Sequence, residues 1–77
     1  MRIAYDPEVD ALSIRFREAP SVTKPLAEGI AADYDAEGRL VGIEILDAVA
    51  RFGDDATLRQ VVLEGVGPSR PALRPAV

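Results

Sequence analysis

Over the first two thirds of the chain, apolar residues recur at every second position. In "ALSIRFR", Leu12, Ile14 and Phe16 fall on one side and Ser13, Arg15 and Arg17 on the other, the pattern of a strand with one buried face. Ile3 and Tyr5 carry the same period just before it, and "DPEVD" separates the two runs. Pro7 presets φ for the second position of a turn, and the Asp6 carboxylate can bond the backbone beyond it. Residues 2 to 17 therefore read as a β-hairpin. "EGIAADY" and "VGIEIL" alternate in the same way on either side of "DAEG", which predicts a second hairpin.

The two hairpins echo one another at a spacing of 29 residues. Tyr5-Asp6-Pro7-Glu8 matches Tyr34-Asp35-Ala36-Glu37, and Leu12, Ile14 and Phe16 correspond to Val41, Ile43 and Ile45. Duplication and a shared solution to the same turn problem both account for the match. The second register is open at residues 35–40. "DAEG" suits a type I turn followed by a glycine at positive φ, a three-residue loop with a bulge. Pairing Ile30, Ala32 and Tyr34 with Ile45, Ile43 and Val41 favours a loop of two or four, and a one-residue slip exchanges the faces. The expected register is the one that buries the isoleucines.

"DYDAEGRLVGIE" also fits the spacing of a calcium loop, with Asp33, Asp35, Glu37, Gly38 and Glu44 at the ligand and turn positions. Such a loop needs a helix on each side, whereas these flanks alternate as strands do. The first copy repeats the turn with Ala4, Val9 and Arg15 at the places of Asp33, Gly38 and Glu44, a setting in which calcium has no site. The hairpin reading prevails, calcium binding through Asp33–Glu44 is kept only as a low-ranked alternative, and no metal, cofactor or catalytic residue is assigned.

Between the hairpins, "EAPSVTKPLAEG" holds Pro20 and Pro25 without helical period and reads as a loop or a short edge strand. After the last strand Asp47 is placed to cap a short turn "AVARF" that Gly53 stops. Asp54 or Asp55 is placed to cap a further helix reaching Glu64, with Leu58, Val61 and Val62 as its apolar stripe and Gly65 as its stop, although the β-branched pair also permits a strand over 55–64. The expected fold is α+β: a small antiparallel sheet of two consecutive hairpins packed against a C-terminal helix, forming one domain over residues 1–65. Residues 66–77, with three prolines and no period, read as a flexible tail in which Pro68 and Pro71 make a short P-x-x-P core.

Composition narrows the chemistry. The 77 residues contain no cysteine and no histidine, which removes disulfides, thiolate sites and the commonest general base. A chain this short buries only roughly 60% of its unfolded surface, so help from self-association is expected. Thirteen acidic against nine basic residues give a net charge of −4 with the basic ones scattered, so nucleic acid is not expected as a partner. No segment has the length of a signal peptide or membrane span, and the expected location is cytoplasmic.

"YDPEVDALSIRF", "DYDAEGRLVGIEIL" and the alanine after Asp47 resemble a family of small bacterial and archaeal proteins, domain of unknown function 2283. The resemblance covers about residues 3 to 50. Ser13 departs from the family, where an aromatic is frequent after the leucine. The resemblance implies a compact antiparallel sheet with a C-terminal helix and no assigned activity. Members often look like companions of small toxin-like proteins, so the resemblance implies an antitoxin-like binding role, and the family supplies no catalytic residue to carry over.

The dispersed carboxylates Asp33, Asp35, Glu37, Glu44 and Asp47 mark no cleft, so the chain is not expected to be an enzyme. Arg15, Arg17 and Glu44 are expected on the solvent face of the sheet, pairing across strands or docking a partner. The leading expectation is a protein-interaction module that caps a small basic protein, since complementary fields speed association. The other is a homo-oligomer, a dimer formed through an edge strand or the outer face of the sheet.

Overall fold

The alternating runs become a five-stranded antiparallel sheet in the computed structural model, which describes residues 1–68. The strands are β1 (Arg2–Asp6), β2 (Ala11–Arg15), β3 (Val22–Ala27), β4 (Ile30–Tyr34) and β5 (Leu40–Leu46), in the spatial order β1-β2-β5-β4-β3. β1 and β2 make the first hairpin and β4 and β5 the second. The connector supplies β3, so its edge-strand reading holds. Pro25 lacks a backbone N–H and fits an edge, and the register slips there between Pro25 and Ala27.

Both hairpin turns rest on an aspartate. Asp6 Oδ1 accepts the Glu8 N–H at 2.9 Å and Asp35 Oδ1 accepts the Glu37 N–H at 2.9 Å, so the sequence echo is also an echo of side-chain bonding. In the second turn the Gly38 N–H bonds the Asp35 carbonyl at 3.0 Å, and Gly38 takes φ 80°, which a residue without Cβ adopts at little cost. The two register arguments turn out to be compatible. Ile30 lies opposite Ile45 and Ala32 opposite Ile43, as burial of the isoleucines requires, but Tyr34 lies opposite Leu40 and not Val41. Val41 is the extra residue of a bulge that absorbs the odd loop length.

The two hairpins meet along β2 and β5, where Ile14 pairs with Ile43, its own counterpart in the 29-residue echo. An approximate two-fold axis thus passes through that pair, relating β2 to β5 and β1 to β4. Cross-strand pairing places Ile3, Ile14, Ile43 and Ala32 in one row and Tyr5, Leu12, Ile45 and Ile30 in the next, on the apolar face. The opposite face carries Arg2, Arg15, Gly42, Asp33 and Thr23 in one row.

What covers the apolar face is small. The helix α1 (Ala48–Phe52) and a 3₁₀ turn (Ala56–Arg59) follow β5. Five helical residues span about 7.5 Å, whereas five strands extend about 19 Å across the sheet. Ala32, Val41 and Ala48 are the buried apolar residues among those described, and only Val41 is both large and fully enclosed. The described residues are therefore mostly β with one short helix.

Two expectations about the C-terminal part change. Gly53 does stop the "AVARF" helix, its N–H bonding the Val49 carbonyl at 3.0 Å, but Asp47 does not cap it. Asp47 sits at φ 53° with no side-chain bond to the helix. Asp10 performs the task from the first turn: its carboxylate accepts the Val49 N–H at 3.1 Å and its carbonyl accepts the Ala48 N–H at 3.0 Å. The helix expected from Asp55 to Glu64 is reduced to the single turn Ala56–Arg59, started where Asp54 Oδ1 accepts the Thr57 N–H at 3.1 Å. From Gln60 the backbone is extended and irregular, consistent with the poor helix propensity of Val61 and Val62 and with their exposure. The tail reading and the Pro71 of P-x-x-P fall, from residue 69 onward, outside the described residues.

Asp10→Ala should lower the free energy of unfolding by about 1–3 kcal/mol in urea, since it removes a cap and leaves a Cβ residue at positive φ. Asp47→Gly should change it by less than about 0.5 kcal/mol or raise it, because glycine accepts that φ and no cap is lost. A large loss at Asp47 and none at Asp10 would restore the expected cap.

Candidate interaction surfaces

The apolar face leaves much of its alternation uncovered. Ile3 is 43% exposed, Val22 65% and Leu40 39%, values far from those of a core. On the β1–β2 side a groove of about 500 Å³ opens between Ile3, Leu12 and Ile14 of the sheet and Phe52, Leu58 and Val61 of the C-terminal segment. On the β3–β4 side the Lys24 ammonium stands 5.9 Å from the centre of the Tyr34 ring, a cation–π contact at the margin of its range.

The polar face is organised around Gly42. Arg15 and Asp33 are its neighbours on β2 and β4, and because Gly42 has no side chain they meet across it, Arg15 Nη1 lying 3.5 Å from Asp33 Oδ2. A Cβ at Gly42 would lie 2.9 Å from the Ile14 carbonyl and 3.5 Å from that carboxylate. Asp33 is 3% exposed, and the Thr23 hydroxyl donates to its other oxygen. Arg15 Nε is buried without a hydrogen bond, the Glu18 carboxylate standing 3.7 Å away. Below this row Arg17 pairs with Asp35, whose carboxylate also takes the Arg39 backbone N–H at 2.8 Å and Arg39 Nε at 3.3 Å.

The residues singled out in the sequence are thus separated by role. Arg15 and Glu44 do lie on the polar face, but Arg15 reaches Asp33, and Glu44 stands opposite Ser13 and Ala31. Arg17 lies beyond the end of β2. Of the calcium spacing, Asp33 and Asp35 are engaged by arginines and Glu37 by Arg39 at 3.1 Å. Among the described residues no three acidic side chains converge as metal ligands. Gly42, Thr23 and Asp10 were not picked out from the sequence. A glycine inside an alternating central strand was the available signal for the first; nothing local marks the other two.

Tyr5 stands at the rim of the groove and its hydroxyl donates to Asp10 Oδ1 at 2.7 Å. That bond to a carboxylate, with some desolvation and the charges of Asp10, Asp55 and Asp6, raises the phenol above its ordinary 10.0. One aspartate therefore ties β1, the first turn and α1 together.

Fold and surfaces define a small protein built on one antiparallel sheet, with one self-neutralising polar face and one partly covered apolar face. A family described as protein of unknown function (DUF2283) matches residues 2–48, well over half of the 77, and the chain belongs to that family. The matched span holds all five strands and ends at the first residue of α1. Comparison with curated proteins finds no match. Comparison with solved structures finds none either. Among the described residues no helix is long and apolar enough to cross a membrane.

Arg15→Ala should cost about 1–3 kcal/mol in urea unfolding by leaving the Asp33 carboxylate buried without its cation, and Asp33→Asn in that background should recover part of the loss. Additive losses would show that the pair is not coupled. For Tyr5 the raised folded pKa means that the bond's contribution is intact below about pH 10 and is lost as pH rises through the folded value. In a Tyr34→Phe background, which leaves Tyr5 as the one tyrosine, the tyrosinate absorbance should titrate above the ordinary value, and Asp10→Asn should lower its midpoint. A midpoint indifferent to Asp10 would contradict this assignment.

Proposed function

We propose that this chain is a protein-binding module of the cytoplasm, without chemistry of its own, that offers its apolar sheet face to a small basic partner. The carrying observation is the mismatch between a five-stranded apolar face and a cover of one five-residue helix and one 3₁₀ turn. A sheet face is stabilised when a second layer closes on it, and among the described residues most of that layer is missing. Charge supports the sign of the partner. Arg2, Arg15, Arg17 and Arg39 are paired with carboxylates at one end of the sheet. The other end gathers the turns and α1 with Asp6, Glu8, Glu28, Asp47 and Asp54 beside Arg51 and Arg59, so among the described residues acidic side chains outnumber basic ones there. An apolar platform with an acidic margin suits a partner whose apolar contact is bordered by Lys and Arg, and the antitoxin-like role implied by the family resemblance is of this kind. A second reading, self-association, is favoured by a separate observation: among the described residues no strand covers the outer edge of β1.

Capture of the tagged protein from its native lysate, run beside a Val22→Lys/Leu40→Lys variant, tests the reading. A small basic protein held in near-equal amount by the natural chain and lost by the variant is the expected result. Equal recovery by both, or no partner with either, would sink it.

A further inference from the structure

The internal two-fold axis through Ile14 and Ile43 makes β1 the counterpart of β4, yet the two strands differ in one respect. The outer edge of β4 is covered by the antiparallel strand β3; among the described residues no strand covers the outer edge of β1. The two edges of the sheet are also built differently. β3, the opposite edge, carries Lys24, Pro25 and a register slip, the devices that stop a strand from accepting another. β1 has neither proline nor bulge, runs in unbroken register against β2, and is exposed along its whole length.

We propose that β1 pairs with β1 of a second copy across a two-fold axis at Ala4, making a dimer with one continuous ten-stranded sheet. The sequence of the strand is self-complementary in that register. Read antiparallel against itself, "RIAYD" places Arg2 opposite Asp6 of the partner subunit, Ile3 opposite the partner's Tyr5, and Ala4 opposite the partner's Ala4. Each dimer gains two opposite-charge pairs and two aromatic/β-branched pairs, the combinations favoured across antiparallel strands. Arg2 can exchange its partner, since its own-chain pair with Glu18 is long, at 3.8 Å, and open to water. Asp6 uses one carboxylate oxygen for the Glu8 N–H and keeps the other. The interface is isologous, and assembly stops at two because both remaining edges are the proline-bearing β3 strands. This pairing leaves the apolar faces open, so it stands or falls independently of the binding role proposed above.

The chain has no cysteine, which makes a single introduced thiol a clean probe. Antiparallel partners bring Cα atoms to about 4.5–5.5 Å, within the span of a disulfide. Ala4→Cys should form an intermolecular disulfide under mild oxidation at micromolar concentration, whereas Thr23→Cys on the opposite edge should not. In sedimentation equilibrium the natural chain should approach twice its 8.2 kDa mass. Arg2→Asp and Asp6→Arg should each weaken the dimer by on the order of tenfold to a hundredfold, since each places two like-charge pairs across the axis. The double swap Arg2→Asp/Asp6→Arg should restore it, which no loss of folding can imitate. A monomer at all concentrations would overturn the proposal. So would a dimer insensitive to both charge reversals in which Ala4→Cys stays unlinked.

Discussion

The pairing of β2 with β5 is the contact on which the rest of this molecule depends. Every other strand pair is local, closed by a turn of a few residues, and a lone hairpin is marginal in water. β2 and β5 are separated by the whole of β3 and β4, and their union converts local ribbons into one sheet. It also sets which residues share a face. Because Ile14 meets Ile43, the isoleucines of both hairpins fall into common rows, and because Arg15 meets Gly42, the Arg15 guanidinium is carried to Asp33. A shift of one residue at this seam would turn the apolar rows of one half toward the polar rows of the other.

The polar face shows how a glycine can matter through what it permits. Gly42 lies in the middle strand, where a side chain would ordinarily strengthen the sheet, and its emptiness lets two charged residues from strands that are not neighbours touch. The same row holds a buried carboxylate satisfied by Arg15 and Thr23. These groups neutralise one another within the sheet, and among the described residues the excess of acidic side chains is left at the helix end.

Much of this architecture was legible in the residues. The hairpins followed from alternation and from two aspartate turns, and the resemblance to DUF2283 covers the same strands that the family match covers. Less legible features were those decided at a distance. Asp47 has the right type and place for a cap, but its backbone is left-handed and the task passes to Asp10, which lies 39 residues before Val49. No local rule reports such a partner. The segment 55–64 reads as helix from Leu58, Val61 and Val62, yet of that stripe only Leu58 is partly buried while Val61 and Val62 stay 62% and 65% exposed, and an apolar stripe without burial does not hold a helix. At residues 35–40 the conflict between glycine and isoleucines was real, and the bulge at Val41 resolves it by satisfying both.

The tie from Asp10 to Val49 has a consequence for how the molecule opens. A five-residue helix does not persist in water by itself, since the nucleation of its first turn is not repaid over so short a length. Its existence is borrowed from the first hairpin turn, through the Asp10 carboxylate and carbonyl. α1 is therefore a subordinate unit: it can fray while the sheet stays whole, but it does not survive the opening of β1 and β2. In the hierarchy of partial unfolding, the helix that follows the last strand answers to the first turn.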